Sequence, residues 1–159
     1  MRITVVCAGK LKEKYLSQGI AEFQKRLTPF CSFEIREIHE EKMPAEPSVA
    51  EKKQVLMREG ERLLRQVPQG SYLIVLDVFG RELSSEELSA RLDALALQGK
   101  SSIAFLIGGA FGLSEEVRAA ADCRLSFSRL TFTHQMVRLL LVEQIYRAFK
   151  ISRGEKYHW

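Results

Sequence analysis

The chain has 159 residues, 46% of them hydrophobic and 28% charged, which is enough for one domain with a real core, expected over residues 1–159, and too little for two ordinary ones. No apolar run approaches the roughly 18 residues of a membrane span, and the opening stretch from Met1 to Ala8 is too short to read as a signal peptide, so a cytoplasmic protein without a membrane partner is expected. The net charge of +4 and the pI near 9.0 suit an anionic partner without demanding one.

In chain order, Arg2 to Ala8 is a β-branched run and reads as a strand. Leu11 to Leu27 carries apolar residues at Leu11, Tyr15, Leu16, Ile20, Phe23 and Leu27, the spacing of a helix. Phe33 to Ile38 alternates as a half-buried strand does. The segment from His39 to Pro47 has two prolines and no periodicity, which makes it a loop. Ser48 and Glu51 form a capping box that opens a helix to about Val67, and Pro68-Gln69-Gly70 stops it. Ser71 to Val78 is a buried strand.

The alternation repeats in the second half. Ser84 to Glu87 is another capping box, opening a helix to about Gln98 that Gly99 closes. Ser102 to Ile107 is a fully apolar strand, Ser114 starts a short helix with an acidic first turn, and Cys123 to Phe127 is a short last strand. A long helix then runs from His134 to about Phe149, with Thr133 as its candidate N-cap. Strands alternating with helices predict an α/β fold with a mainly parallel sheet covered on both faces. Cys7, Cys31 and Cys123 are odd in number and too far apart for a CxxC or zinc pattern, so they read as packed, reduced thiols, and no metal is expected.

Ligands of open α/β sheets sit beyond the carboxyl ends of the strands. Gly9 follows the first strand alone, without the GxGxxG of a dinucleotide site. Gly108-Gly109-Ala110-Phe111-Gly112 follows the Ser102 strand, where the glycines either let backbone approach a ligand closely or simply make a tight turn. No GK[ST] is present, and Glu115 and Glu116 already complement the dipole of the next helix and would repel a polyphosphate, so a nucleoside without phosphate fits better. Asp77 reads equally as a ribose or ammonium ligand, a base, or a turn cap. The loop from Phe127 to Thr133 mixes hydroxyls with large apolar groups, as an adenine pocket would.

The helix from His134 is apolar over more than one stripe, which predicts burial on two sides, by the sheet and by the second subunit of a homodimer; burial within the monomer is the alternative. The tail after it carries Arg147, Lys150, Arg153 and Lys156 with Tyr157, His158 and Trp159, a mixture of charge and stacking faces that suits RNA, against the alternative of a frayed terminus.

Leu106-Ile107-Gly108-Gly109, Ser128 to His134, Glu143 to Ala148 and the closing Tyr157-His158 closely resemble the ribosomal RNA large subunit methyltransferase H family of the SPOUT superfamily. The resemblance covers the whole chain. It implies a SPOUT-type α/β knot, in which the C-terminal segment threads a loop to make a trefoil, an exception to the rule against knotted chains. It also implies transfer of a methyl group from S-adenosyl-L-methionine to N3 of a pseudouridine in 23S ribosomal RNA, with the assembled ribosome as substrate. Carried over, Leu76, Gly108, Phe127, Ser128, Arg129, Leu130, Thr131 and Phe132 form the cofactor pocket. Homodimers in which one tail completes the partner's site are the implied assembly. His158 is the implied base or orienting group, Tyr157 stacks on the target base, Arg129 or Arg153 holds anionic charge, and Asp77 competes as the base. A non-catalytic ribosome-binding or assembly factor and a knotted methyltransferase acting on tRNA are the rival readings.

Overall fold

The computed structural model describes residues 1–158, so Trp159, expected to add a third ring to the tail, lies outside the described residues. Ten elements alternate along the chain: β1 (Arg2–Ala8), α1 (Lys14–Leu27), β2 (Ser32–Ile38), α2 (Val49–Gln66), β3 (Tyr72–Glu82), α3 (Ser85–Leu97), β4 (Ser102–Ile107), α4 (Glu115–Ala120), β5 (Cys123–Ser126) and α5 (His134–Ser152). All strand pairings are parallel, in the order β2-β1-β4-β3-β5. The fold is therefore the expected α/β architecture.

The sheet is covered on both faces. Ile3, Val5, Cys7, Ile103, Phe105 and Ile107 point to one face, where Ile20 of α1, Leu88 and Leu92 of α3, and Leu141 and Ile145 of α5 meet them. Val6, Ala8, Leu73, Val75, Ala104 and Leu106 point to the other, against Leu63 of α2 and Val117 of α4. Because β1 and β4 face helices on both sides, they read as continuous apolar runs, and each large side chain fully removed from water contributes roughly 1.5–3 kcal/mol. The cysteines pack as expected. Cys7 is buried and its thiol is pushed up to about 12 chiefly by burial, while the half-buried Cys31 rises to about 11 for the same reason.

Both capping boxes and the Thr133 cap form. The Ser48 hydroxyl accepts from the Glu51 amide while the Glu51 carboxylate accepts from the Ser48 amide, and Ser84 and Glu87 repeat the exchange. Thr133 Oγ1 accepts from the Met136 amide.

Several boundaries differ from those expected, among them the end of α5, at Ser152 instead of about Phe149, and three with a visible cause. Helix α1 starts at Lys14 instead of Leu11, because Gly9 turns the chain with φ +80° and the Lys12 amide donates to Gln135 Oε1 on α5, leaving residues 10–13 as a loop. Strand β3 runs on to Glu82, beyond the expected Val78, by means of a bulge between Leu76 and Arg81 where its pairing with β5 shifts register. Gly80 is required there, since a Cβ would lie 2.7 Å from the backbone carbon of Arg124. Strand β5 ends at Ser126, whose hydroxyl turns to the Ser128 carbonyl at 3.1 Å, so Phe127 opens the following loop.

Candidate active site

The ends of β1, β3, β4 and β5 open onto one cleft of about 690 Å³, within the range of roughly 300–1,000 Å³ usual for small-molecule sites. Four loops build it. Lys12 and Glu13 come from the loop after β1, Leu76 to Val78 from the β3 bulge, Gly108 to Ala110 with Gly112 from the turn after β4, and Ser126 to Ser128 with Leu130 to Gln135 from the loop into α5.

Of the residues expected to form a cofactor pocket, the cleft is lined by Leu76, Gly108, Phe127, Ser128, Leu130, Thr131 and Phe132. Arg129 belongs to the same loop but is exposed and is not part of the lining. The glycine turn is closed by the Gly112 amide donating to the Gly109 carbonyl at 3.2 Å, and Gly112 has φ +94°. Gly108 is fitted closely, because a Cβ there would meet Leu113 Cδ2 at 2.6 Å and the Gly112 carbonyl oxygen at 2.9 Å. The Ser128 hydroxyl accepts from the Leu130 amide at 3.0 Å, which folds the hydroxyl loop on itself.

The lysine and the arginine of the cleft lining, Lys12 and Arg118, stand beside the carboxylates Glu13 and Asp77. Arg118 reaches the lining, but its guanidinium is tied to Asp77 at 3.0 Å and to Glu115 at 2.9 Å. At the first turn of α4, Glu116 is held below the usual carboxylate range, first by its own backbone amide and then by the Ser114 hydroxyl, which opposes a phosphate there.

Asp77 is accounted for as a structural ion pair. Its side chain is 1% exposed; Oδ2 lies 3.0 Å from Arg118 Nε and 3.5 Å from Arg124 Nη1, and Oδ1 accepts from the Phe79 amide at 3.2 Å. It stitches the β3 bulge to α4 and β5. Both of its carboxylate oxygens are thus engaged within the protein itself.

The tail is ordered through His158, contrary to a frayed end, and it lies away from this chain's own cleft. Tyr157 Oη donates to Glu143 Oε1 at 3.0 Å, and its ring stands edge-on to Tyr146 at 4.9 Å with the Arg147 guanidinium 4.7 Å above it. Burial first, then Glu143, raises the Tyr157 pKa and keeps it a donor. His158 Nδ1 is 3.3 Å from Arg147 Nη1 and Nε2 is 2.6 Å from Glu86 Oε1. Arg147 can only donate, so this network assigns the proton of a neutral His158 to Nε2 and leaves its ring without a free lone pair. Glu86 is held at about 2 by its own backbone amide, the Ser84 hydroxyl and His158. Neither Tyr157 nor His158 lines the cleft of the chain that carries it.

Helix α5 is buried on one side only. Arg138, Leu141, Val142, Ile145 and Ala148 are covered, while Met136, Leu139, Leu140, Tyr146 and Phe149 remain half-buried. Around the cleft, Tyr15 is 60%, Phe111 53% and Leu130 72% exposed, leaving an apolar rim.

Three residues that the sequence reading passed over shape the site. Arg138 is fully buried and donates to Glu37 Oε1 at 2.6 Å, the Ala8 carbonyl at 3.1 Å and the Gly9 carbonyl at 3.0 Å, tying α5 to the turn after β1. His134 lines the cleft with Nε2 3.0 Å from Glu40 Oε1, a contact without the alignment of a hydrogen bond; its pKa is lowered chiefly by burial. Glu59 is 6% exposed behind the glycine turn. A lone cation in the apolar stretch from Met136 to Val142 was the available signal for Arg138; Glu59 had none.

Among the described residues there is no cluster suited to a metal ion, and no helix is long and apolar enough to cross a membrane. Residues 1–158 match the family described as "Predicted SPOUT methyltransferase". The chain is 52% identical over 158 residues to Ribosomal RNA large subunit methyltransferase H of Clostridioides difficile (strain 630), covering 99% of each. It is 53% identical over 158 residues to the protein of the same name from Listeria welshimeri serovar 6b, again covering 99% of each. Among solved structures, a probable methylase family protein from Haemophilus influenzae Rd KW20 superposes with TM-score 0.56 at 12% identity, over 99% of this chain and 70% of that one. A tRNA methyltransferase from Aquifex aeolicus gives TM-score 0.51 at 13% identity over 92% of this chain and 70% of that one. At such identities these two structures speak for the fold alone.

Proposed function

The chain belongs to the SPOUT methyltransferase family, and from that premise we propose that it methylates N3 of a pseudouridine in the large-subunit ribosomal RNA of the assembled ribosome, using S-adenosyl-L-methionine. The observation that carries this reading is the cleft itself: largely apolar, glycine-cradled and with its one arginine, Arg118, tied up in ion pairs, as suits a phosphate-free nucleoside.

The residues present fit that cofactor. Leu76, Phe127, Leu130 and Phe132 supply apolar walls, Gly108 lets backbone come close, and Ser128, Thr131 and the surrounding main chain supply polar groups. When bound, S-adenosyl-L-methionine supplies a methyl group already activated on a sulfonium. The protein then has to orient the imide nitrogen in line with it, exclude water and accept the N3 proton.

Tyr157 and His158 are the groups proposed for the substrate base, and they serve the cleft of a partner subunit. The exposed rim of Tyr15, Phe111 and Leu130 and the half-buried face of α5 support a homodimer, since each is apolar surface that a second copy would cover. To take a proton, His158 has to release Arg147 from Nδ1, and substrate binding is proposed to drive that exchange. Arg153 is held over the Phe30 ring at 4.3 Å and, with the exposed Arg129, is available for phosphate. The proposal extends to the trefoil knot, a single domain over residues 1–159 and a cytoplasmic location, all of which follow from the family reading.

The tRNA reading has less support. The relatives matched over 99% of this chain at about half identity are named for ribosomal RNA, which favours that substrate over tRNA. Transfer of labelled methyl groups to intact ribosomes, separated subunits, naked ribosomal RNA and tRNA tests the choice. Labelling of ribosomes well above naked RNA is expected; efficient labelling of tRNA or of a short hairpin would overturn the reading, and absence of S-adenosyl-L-methionine binding would favour a non-catalytic assembly factor.

A further inference from the structure

Behind the glycine turn lies a carboxylate with no counter-ion. Glu59 of α2 is 6% exposed, and among the described residues no lysine, arginine or histidine pairs with it. Burying an unpaired charge is costly, so its retention has to be offset by directed hydrogen bonds. Glu59 makes two. Oε1 accepts from the Gly109 amide at 3.1 Å, and Oε2 accepts from the Glu41 amide at 3.3 Å.

We propose that Glu59 is a positioning residue for cofactor binding, which holds the Gly108–Gly112 turn and the segment after β2 in the arrangement that shapes the wall of the cleft. The inference rests on the cofactor reading given above. Gly109 lines the cleft, and a Cβ on it would lie 2.8 Å from Glu59 Oε1, so glycine and carboxylate are fitted to one another. The next residue, Gly60, packs closely on the start of α4, where a Cβ would meet Ser114 Oγ at 2.6 Å. The turn is thus closed from inside by the amide of Gly112 and braced from outside by Glu59.

The role requires a carboxylate, because both partners are N–H donors. A glutamine would offer one acceptor and turn its NH₂ towards the other amide. Protonation has the same effect on one oxygen. Burial raises the Glu59 pKa, the two amides oppose that shift, and the neighbouring carboxylates Glu40 and Glu41 add to it. Glu41 is itself paired with Arg62 at 2.6 Å, and Glu40 lies 3.0 Å from His134 on the cleft side. His134, whose pKa burial lowers, also titrates, so the difference between wild type and variant decides, and the wild-type profile alone does not.

The test is calorimetric titration of S-adenosylhomocysteine, a stable product analogue, into full-length wild type and E59Q between about pH 5 and pH 8, with thermal unfolding of each. Loss of one hydrogen bond to a charged acceptor predicts about tenfold weaker binding by E59Q at neutral pH. The wild-type advantage should shrink towards acid pH, and the unfolding midpoint should not fall in step, because the variant also removes a buried charge. Independently of any variant, the Gly109 amide resonance of the wild type should titrate with the midpoint at which that advantage is lost. Equal affinity of the two proteins, a difference independent of pH, or a Gly109 amide indifferent to pH would each overturn the inference. Failure of the wild type to bind the analogue would instead refute the cofactor reading and take this inference with it.

Discussion

Replacing Arg138 by methionine should destabilise the chain by about 3 kcal/mol while leaving its core volume nearly intact. The guanidinium is completely buried and donates to Glu37 Oε1 and to the carbonyls of Ala8 and Gly9, both buried residues. Methionine fills much of the space of the stem but donates nothing, so two carbonyls and one carboxylate oxygen lose their partners. Each unsatisfied buried acceptor costs roughly 1–3 kcal/mol, and breaking a buried ion pair costs roughly 3–5 kcal/mol. Opposing this, an uncomfortable group is removed, since Arg138 Nε has no hydrogen-bond partner among the described residues, and Glu37 remains 33% exposed and can be rehydrated. The net of about 3 kcal/mol corresponds to a midpoint lowered by roughly 6–12 °C for a chain of this size. Thermal and urea unfolding of wild type and R138M measure it directly. A variant as stable as wild type, as happens when apolar residues replace some buried ion pairs, would refute the reasoning that these carbonyls depend on Arg138.

G108A should fold yet bind S-adenosyl-L-methionine at least about tenfold more weakly, because the added Cβ would sit 2.9 Å from the Gly112 carbonyl oxygen, which belongs to backbone and gives way poorly; calorimetry showing wild-type affinity would contradict this. For the proposed homodimer, mixing G108A with H158A, at a cofactor concentration too low to sustain G108A, should restore about a quarter of wild-type methylation, since random exchange makes half the dimers mixed and each mixed dimer has one site with an intact pocket and an intact tail. No recovery would place pocket and tail of a working site in one chain. Stability should also fall as pH drops below the ordinary histidine value of 6.5, because burial lowers the pKa of His134 and the unfolded chain therefore binds more protons in that interval. H134Q should lose this component, measured as a smaller change in unfolding midpoint over the same range.

The parts of the fold legible in the sequence are those set by local chemistry. Ser48 with Glu51 and Ser84 with Glu87 marked two helix starts because both members of each capping box lie within one turn. Strand β4 matched to the residue because an apolar run between two polar boundaries has one way to be buried. The starting point of α1 was not legible, since it depends on the bond from the Lys12 amide to Gln135, and neither was the extent of β3, which depends on pairing with β5 beyond a bulge.

Within the site, the glycine and hydroxyl loops were legible because their residue types are unusual at the ends of strands. Asp77 left ribose ligand, base and turn cap open, and its pairing with Arg118 and Arg124 comes from distant elements that no local spacing reveals. Glu59 sits in a helix full of charges, where nothing local separates a buried carboxylate from a solvated one. The position of Tyr157 and His158 away from their own cleft follows from contacts with Glu143 and Glu86, which no spacing in the sequence reveals.

The most direct measurement of the central claim is mass-spectrometric mapping of the nucleotide that acquires label when ribosomes lacking the modification are incubated with the protein and S-adenosyl-L-methionine. The account predicts a single added methyl group on N3 of a pseudouridine in the large-subunit RNA. A methyl group on any other base, or on the small-subunit RNA, would contradict it.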